Sequence, residues 1–213
     1  MTEQRLGDMT VEGFLAVLGS DAPTPGGGAA GAVAAATGAA LIAMVGRLTV
    51  GKAGFEDVDA GMRDVVERAD AARLTFLALA DRDAHAFDGV MEAFKMPKET
   101  DDQKAARSAA IQAGYEQAAS VPLEIARAAV ELMRLAEDAT SMGNPQAASD
   151  GVSGAAELYC AALCAIANVE INAAALKDEG RRAALLDEVA TLRGRADRSF
   201  RESQTAFQLR LSS

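Results

Sequence analysis

Apolar residues along this chain recur three and four positions apart, and nowhere does a run of β-branched residues alternate with polar ones between turn signals. The pattern predicts helices and no strand. Six stretches are legible. The first covers residues 10–19, with Val11, Phe14, Leu15 and Leu18 at helical spacing. A turn, Ser20-Asp21-Ala22-Pro23-Thr24-Pro25, and the triplet Gly26-Gly27-Gly28 lead into a second that reaches residue 50. The third is predicted over 58–94 and stops at Met96-Pro97. The fourth opens at Thr100-Asp101-Asp102-Gln103, which has the form of a capping box. It runs to residue 139, with a kink or a fresh start expected at Ser120-Val121-Pro122, because an interior proline removes a hydrogen bond and crowds the preceding turn. Asn144 as N-cap and Pro145 at the first helical position open the fifth, to residue 176. The last spans 182–209. No repeat or low-complexity linker divides the chain, so residues 1–213 are predicted to form one helical domain.

The stretch from residue 28 to residue 46 is uncharged and long enough to cross a membrane. Its content is mostly Ala and Gly, whose transfer gain is small, and it leads through Arg47 into ordinary amphipathic sequence. It is better placed at the centre of a helical bundle, where Gly31, Ala35 and Gly38 permit close backbone approach. Composition agrees: half the residues are hydrophobic but only 4% are aromatic, and there is no Trp. A core so poor in bulk is expected to be completed by subunit packing, as a dimer or larger homo-oligomer. The net charge of −10 argues against non-specific binding to nucleic acid or anionic membranes. Two cysteines and one histidine offer no disulfide framework or zinc site, so no metal is predicted, and Cys160 and Cys164 are expected in the core. The polar residues 1–8 lack a signal-peptide pattern, which makes the cytoplasm the expected compartment.

Chemistry is signalled where polar side chains interrupt apolar stripes. Asp83 occupies a core-facing slot in the series Ala69, Ala72, Phe76, Leu79, Phe87, Val90, Phe94. A carboxylate there implies either a structural ion pair with an arginine or a site facing a cationic ligand. His85 falls on the opposite stripe with Asp81, Asp88 and Glu92, where an exposed contact with Asp81 is expected rather than general-base work. Asp150, Glu157, Asn168 and Asn172 lie within about 60° of one another on a helix. The small residues Gly154, Ala161 and Cys164 lie between them, as in a ligand groove. The glycine triplet lacks the spacing of a phosphate loop, yet it offers free N–H groups at a helix start. Lys52 reads as a helix-end lysine.

These residues also carry a resemblance. Thr24-Pro25-Gly26-Gly27-Gly28 followed by an Ala/Gly helix ending in Leu48-Thr49-Val50-Gly51-Lys52 resembles the formiminotransferase-cyclodeaminase C-terminal domain family. Further matches are Asp81-Arg82-Asp83-Ala84-His85-Ala86-Phe87, Met96-Pro97-Lys98, Ser120-Val121-Pro122-Leu123, Gly143-Asn144 with Ser149-Asp150, and Asn168-Val169-Glu170-Ile171-Asn172. The resemblance implies an all-α, oligomeric fold with a folate site near the glycine-rich turn. It places Asp83, Asp150, Asn144 and Asn172 in the family's motifs and gives no requirement for histidine at position 85. A lysine or arginine fits the pattern at Lys52, which suits an electrostatic role.

The activity so implied is hydrolysis of methenyltetrahydrofolate, with formiminotetrahydrofolate cyclodeamination as the alternative and non-catalytic folate binding as a second. No fused formiminotransferase domain accompanies these residues, which favours the cyclohydrolase. The tetrahydrofolate is the substrate, and no cofactor is expected. Water attacks the bridging carbon and N5 departs, which calls for a carboxylate near the cation and a group that moves a proton. Asp150 is the candidate for water activation and Asp83 for holding the charge. Thr24, Pro25, Gly26, Gly27, Gly28, Asn144 and Asn172 would bind the substrate, and Lys52 would meet its anionic portion or the developing oxyanion. In so acidic a chain the anionic glutamate tail of a folate must be met by a local basic patch.

Overall fold

Side-chain caps mark the starts of three of the α-helices in the computed structural model, which describes residues 5–212. Thr10 accepts from Gly13 N–H at the head of α1 (Val11–Leu18), and Asp178 accepts from Arg181 N–H at the head of α7 (Glu179–Leu211). Thr100 and Gln103 form the anticipated reciprocal capping box at the start of α5 (Asp101–Met142). The other helices are α2 (Gly27–Thr49), α3 (Asp59–Ala86), α4 (Asp88–Lys95) and α6 (Ala148–Ala174), and no strand occurs among the described residues. Of the polar start of the chain, residues 1–4 lie outside the described residues.

The Ala/Gly helix α2 lies at the centre, against α3, α5 and α6. Ala29, Ala32, Ala35, Ala39 and Ala43 are at most 1% exposed. Its contact with the antiparallel α6 is backbone to backbone: a Cβ on Gly38 would meet the Gly154 carbonyl at 2.7 Å, and one on Gly31 would meet Cys164 at 2.9 Å. Larger side chains fill the rest of the core, among them Phe76, Ile42, Met62, Ile125, Met133 and Leu158. Both α2 and the stretch Pro145–Ala174 are long and apolar enough to cross a membrane by length and composition. Within the bundle, 61% and 44% of their most apolar windows are buried.

Three sequence expectations are corrected. The helix read over 58–94 breaks at Phe87, which ends α3 and begins α4. The apolar stripe continues through the break, so periodicity could not show it. What favours it is tertiary: Gly114 of α5 lets the Val90 backbone approach to where a Cβ would find it at 3.1 Å. The fresh start considered at Pro122 does not occur, and α5 runs through the proline as one helix. The start of the fifth helix is as expected, with Asn144 as N-cap accepting from Gln146 N–H and Pro145 at the first helical position, although the first turn, Pro145–Ala147, is 3-10. Cys160 is exposed and Cys164 only half-buried, so neither is a fully enclosed core residue.

Candidate active site

The N-terminus of α2 has no side-chain cap of its own, since Gly26 stands at the N-cap position. Its cap arrives from another helix. The Ala29 N–H donates to the Asp83 carboxylate, whose oxygens occupy the space of a missing Gly28 side chain: a Cβ there would lie 2.4 Å from both. Glycine at position 28 is therefore a packing requirement. Burial pushes the Asp83 carboxyl up to about 6, against the lowering effect of the Ala29 hydrogen bond. Asp83 makes no ion pair among the described residues, so the arginine partner considered from the sequence is not realised. The carboxylate instead borders a cavity of about 380 Å³.

The opposite wall comes from the C-terminal end of α6. Asn168 donates its carboxamide to Cys164 O at 2.8 Å, and Asn172 donates to Asn168 O and to Ala118 O at 2.9 and 3.0 Å. The last bond explains why α5 survives its proline. Pro122 has no N–H to give to the carbonyl four residues earlier, which is that of Ala118. The Asn172 side chain supplies the missing donor. With both carboxamide nitrogens committed to carbonyls, the Asn168 and Asn172 side-chain oxygens remain as acceptors on the cavity wall. Phe87 and Tyr115 add an aromatic flank, their rings edge to face with centroids 6.2 Å apart. The cavity thus combines one carboxylate, amide acceptors and flat apolar surface, a set suited to a planar ligand carrying N–H groups and positive charge.

The residues singled out from sequence fall into two groups. Thr24, Gly26, Asp83 and Asn172 line this cavity. Gly27 and Gly28 form the adjoining helix start. Pro25, buried behind a cis peptide bond with Thr24, faces a neighbouring depression with Asp81 and His85. Lys52, Asn144 and Asp150 sit at the far end of α2 and α6. Asn144 N–H donates to Thr49 Oγ1 and Lys52 N–H to Thr49 O. Asp150 precedes Asn168 by eighteen residues on α6, about 27 Å along a helix axis. One chain alone does not bring the two groups together. The small residues read as a groove floor, Gly154 and Ala161, are instead the seam against α2, because glycines facing each other close that space.

His85 Nδ1 lies 3.3 Å from Asp88, while Asp81, its expected partner, accepts from Leu6 N–H at 2.7 Å and from Arg5. Lys52 is exposed on a turn between Gly51 and Gly54, both at positive φ. Sequence reasoning missed Phe87, which hides in an apolar stripe, and Tyr115. The latter is one of only two tyrosines, and a ring with a polar tip in an Ala-rich helix was the available signal.

The profile of the formiminotransferase-cyclodeaminase family matches residues 10–191. A methenyltetrahydrofolate cyclohydrolase from Methylorubrum extorquens is 42% identical over 81% of this chain and 83% of its own. A formimidoyltransferase-cyclodeaminase from Mus musculus is 36% identical over 83% of this chain, which spans 33% of that longer protein. The crystal structure of formiminotetrahydrofolate cyclodeaminase from Thermotoga maritima superposes with a TM-score of 0.85 at 30% identity, covering 95% of this chain and 98% of that one. Matched over most of its length in sequence and in structure, the chain belongs to the formiminotransferase-cyclodeaminase family.

Proposed function

We propose that the chain hydrolyses 5,10-methenyltetrahydrofolate to 10-formyltetrahydrofolate in the cavity beside the glycine turn. The observation that carries this reading is Asp83: a half-buried carboxylate with no cationic partner among the described residues, facing a cavity with aromatic and amide walls. Its negative charge is left for a ligand to answer, and the methenyl bridge is a delocalised cation. The names of similar proteins supply the substrate class.

The chemistry follows from charge. The bridging carbon is electrophilic, so a water oxygen attacks it and one water proton leaves to a base. The tetrahedral adduct then loses its hydroxyl proton as the carbonyl forms, the bond to N5 breaks, and N5 takes up a proton. The net yield is the 10-formyl product and one released proton. Asp83, ionised above pH 6, stabilises the bound cation and is placed to accept a proton, since a group titrating near the working pH suits that task. The Asn168 and Asn172 oxygens accept N–H groups of the pterin, and Phe87 and Tyr115 flank it.

Asp150, Lys52 and Asn144 enter this reading only through a second subunit. Both α2 and α6 present apolar side chains outward, Leu48 at 40% and Ile171 at 71% exposure. A two-fold axis crossing these antiparallel helices near their middles would set the Asp150 end of one protomer against the Asp83 end of its partner. We therefore propose a homodimer or larger oligomer with composite sites, Asp150 activating the water or moving the proton. A cytoplasmic setting agrees with two free cysteines.

The test is absorbance decay of methenyltetrahydrofolate, with ammonia release from 5-formiminotetrahydrofolate measured in parallel. The Thermotoga similarity favours the second activity as the alternative. Faster ammonia release would select it, and neither activity with folate still raising the melting temperature would leave a binding protein. For the composite site, inactive Asp83→Asn and Asp150→Asn proteins are mixed after mild dissociation. Heterodimers carry one intact site in two, so about a quarter of wild-type activity should return. No recovery would refute the composite site.

A further inference from the structure

Helix α1 stands off the body of the protein. None of its residues is buried, and Val11 and Leu15, one turn apart, are 78% and 56% exposed. The chain is anchored on either side of it: before it, Leu6 N–H donates to Asp81 at 2.7 Å, and after it Pro25 is buried. An eight-residue helix is too short to hold its shape in water by itself and takes its stability from packing an apolar face. Five of these eight residues are Val, Phe or Leu, and Glu12 carries the helix's one charge.

Its own chain offers that face no seat. The depression of about 530 Å³ between Val17 of α1 and the end of α3 is lined by Arg5, Asp81, His85 and Asp88, a charged groove unsuited to Val11 and Leu15. A suitable surface lies on α2, where Met44 and Leu48 are exposed one turn apart on the outward face. Within one chain it is out of reach. Met44 stands seventeen residues along α2 from Gly27, about 25 Å, and α1 is tied to the Gly27 end. The charges are complementary as well. Residues 6–22 carry Asp8, Glu12 and Asp21 and no cation, whereas α2 runs out into Arg47, paired with Asp70, and Lys52, which has no acidic partner among the described residues. A two-fold axis crossing α2 near Gly38 joins the two surfaces. Leu48, ten residues beyond that axis, then falls level with residue 28 of the other protomer, at the end where α1 is tied.

We infer that α1 is an exchanged arm: Val11 and Leu15 of each protomer seat on Met44 and Leu48 of a second copy of this chain, twice per dimer. The inference rests on the two-copy reading above and names the segment that grips the partner. It also couples assembly to the site, because residues 20–23 run directly from α1 to Thr24 in the cavity wall. The contact that joins two copies thereby holds the cavity rim.

The experiment measures dimer dissociation by sedimentation equilibrium in the full chain, with amide hydrogen exchange of residues 10–19 followed in parallel. Leu15→Glu and Leu48→Lys, both at exposed positions, should each weaken the dimer about a hundredfold, since two-fold symmetry loses the contact twice. Circular dichroism checks that each variant is folded. The double variant Leu15→Glu/Leu48→Lys should regain at least about tenfold, because the opposite charges meet across the two copies. In the wild type the α1 amides should be protected in the dimer and lose that protection on dilution to monomer. A dimer indifferent to Leu15→Glu, or one in which α1 exchanges like unstructured chain, overturns the arm and leaves the α2–α6 dimer standing. Protection that persists in the monomer overturns it too, by showing that α1 folds onto its own chain. A wild type that stays monomeric at every concentration overturns the dimer itself, and the arm with it.

Discussion

Asp83 is held in a state that costs the free protein stability, and removing its charge should make the cost visible. Its carboxyl is raised from 3.8 to about 6 by burial. The folded chain therefore keeps a proton that the unfolded chain has lost between those two values, and stability declines as pH rises through that window, then levels off above it. Two units correspond to about 3 kcal/mol. The open side of the cavity screens part of this, leaving about 1–2 kcal/mol. Asp83→Asn keeps the shape and an oxygen to accept from Ala29 N–H, but it cannot ionise. Urea melts at fixed protein concentration should show the two proteins nearly equal at pH 4, with the variant more stable by that amount at pH 7.5. The same variant should lose at least about a hundredfold in turnover, and the wild type's activity should fall on the acid side of pH 6. A variant less stable than wild type at pH 7.5, or a difference that does not change with pH, would refute the burial argument. The carboxylate would then serve mainly to cap α2.

Pro122→Ala restores an N–H that competes with Asn172 for the Ala118 carbonyl. The helix should gain stability in melts while KM for the folate rises severalfold as Asn172 loses its anchor. Gly38→Ala drives a methyl to within 2.7 Å of the Gly154 carbonyl, and calorimetry should register a loss of about 1–3 kcal/mol. Gly194→Ala on α7 meets nothing within 4 Å and should instead add about 0.5–1 kcal/mol from helix propensity. His85→Ala should lower kcat/KM by less than about tenfold in the methenyl-folate assay, since the histidine faces the depression on the far side of the Thr24-Pro25 segment.

Much of this protein was legible before its structure. Apolar periodicity, the Thr100–Gln103 box and the glycine and proline punctuation located the helices, because these are local effects of one turn on the next. The uncharged Ala/Gly helix was rightly placed at the centre, since side chains without bulk serve close contact between backbones. Asp83 was flagged by a carboxylate interrupting an apolar stripe, Asn172 by a polar stripe beside small residues, and Thr24 by the resemblance carried in Thr24-Pro25-Gly26-Gly27-Gly28. Tertiary structure decided the rest. The break at Phe87 depends on the space opened by Gly114, a residue of another helix. The continuity of α5 through Pro122 depends on a donor fifty residues away in sequence, and local rules read the proline as an interruption because they contain no such partner. The alignment of Asp150 with Asn168 and Asn172 on one helical face was correct as angle and silent on depth. Helical periodicity fixes direction around an axis, whereas nearness to Asp83 depends on where along that axis another helix crosses.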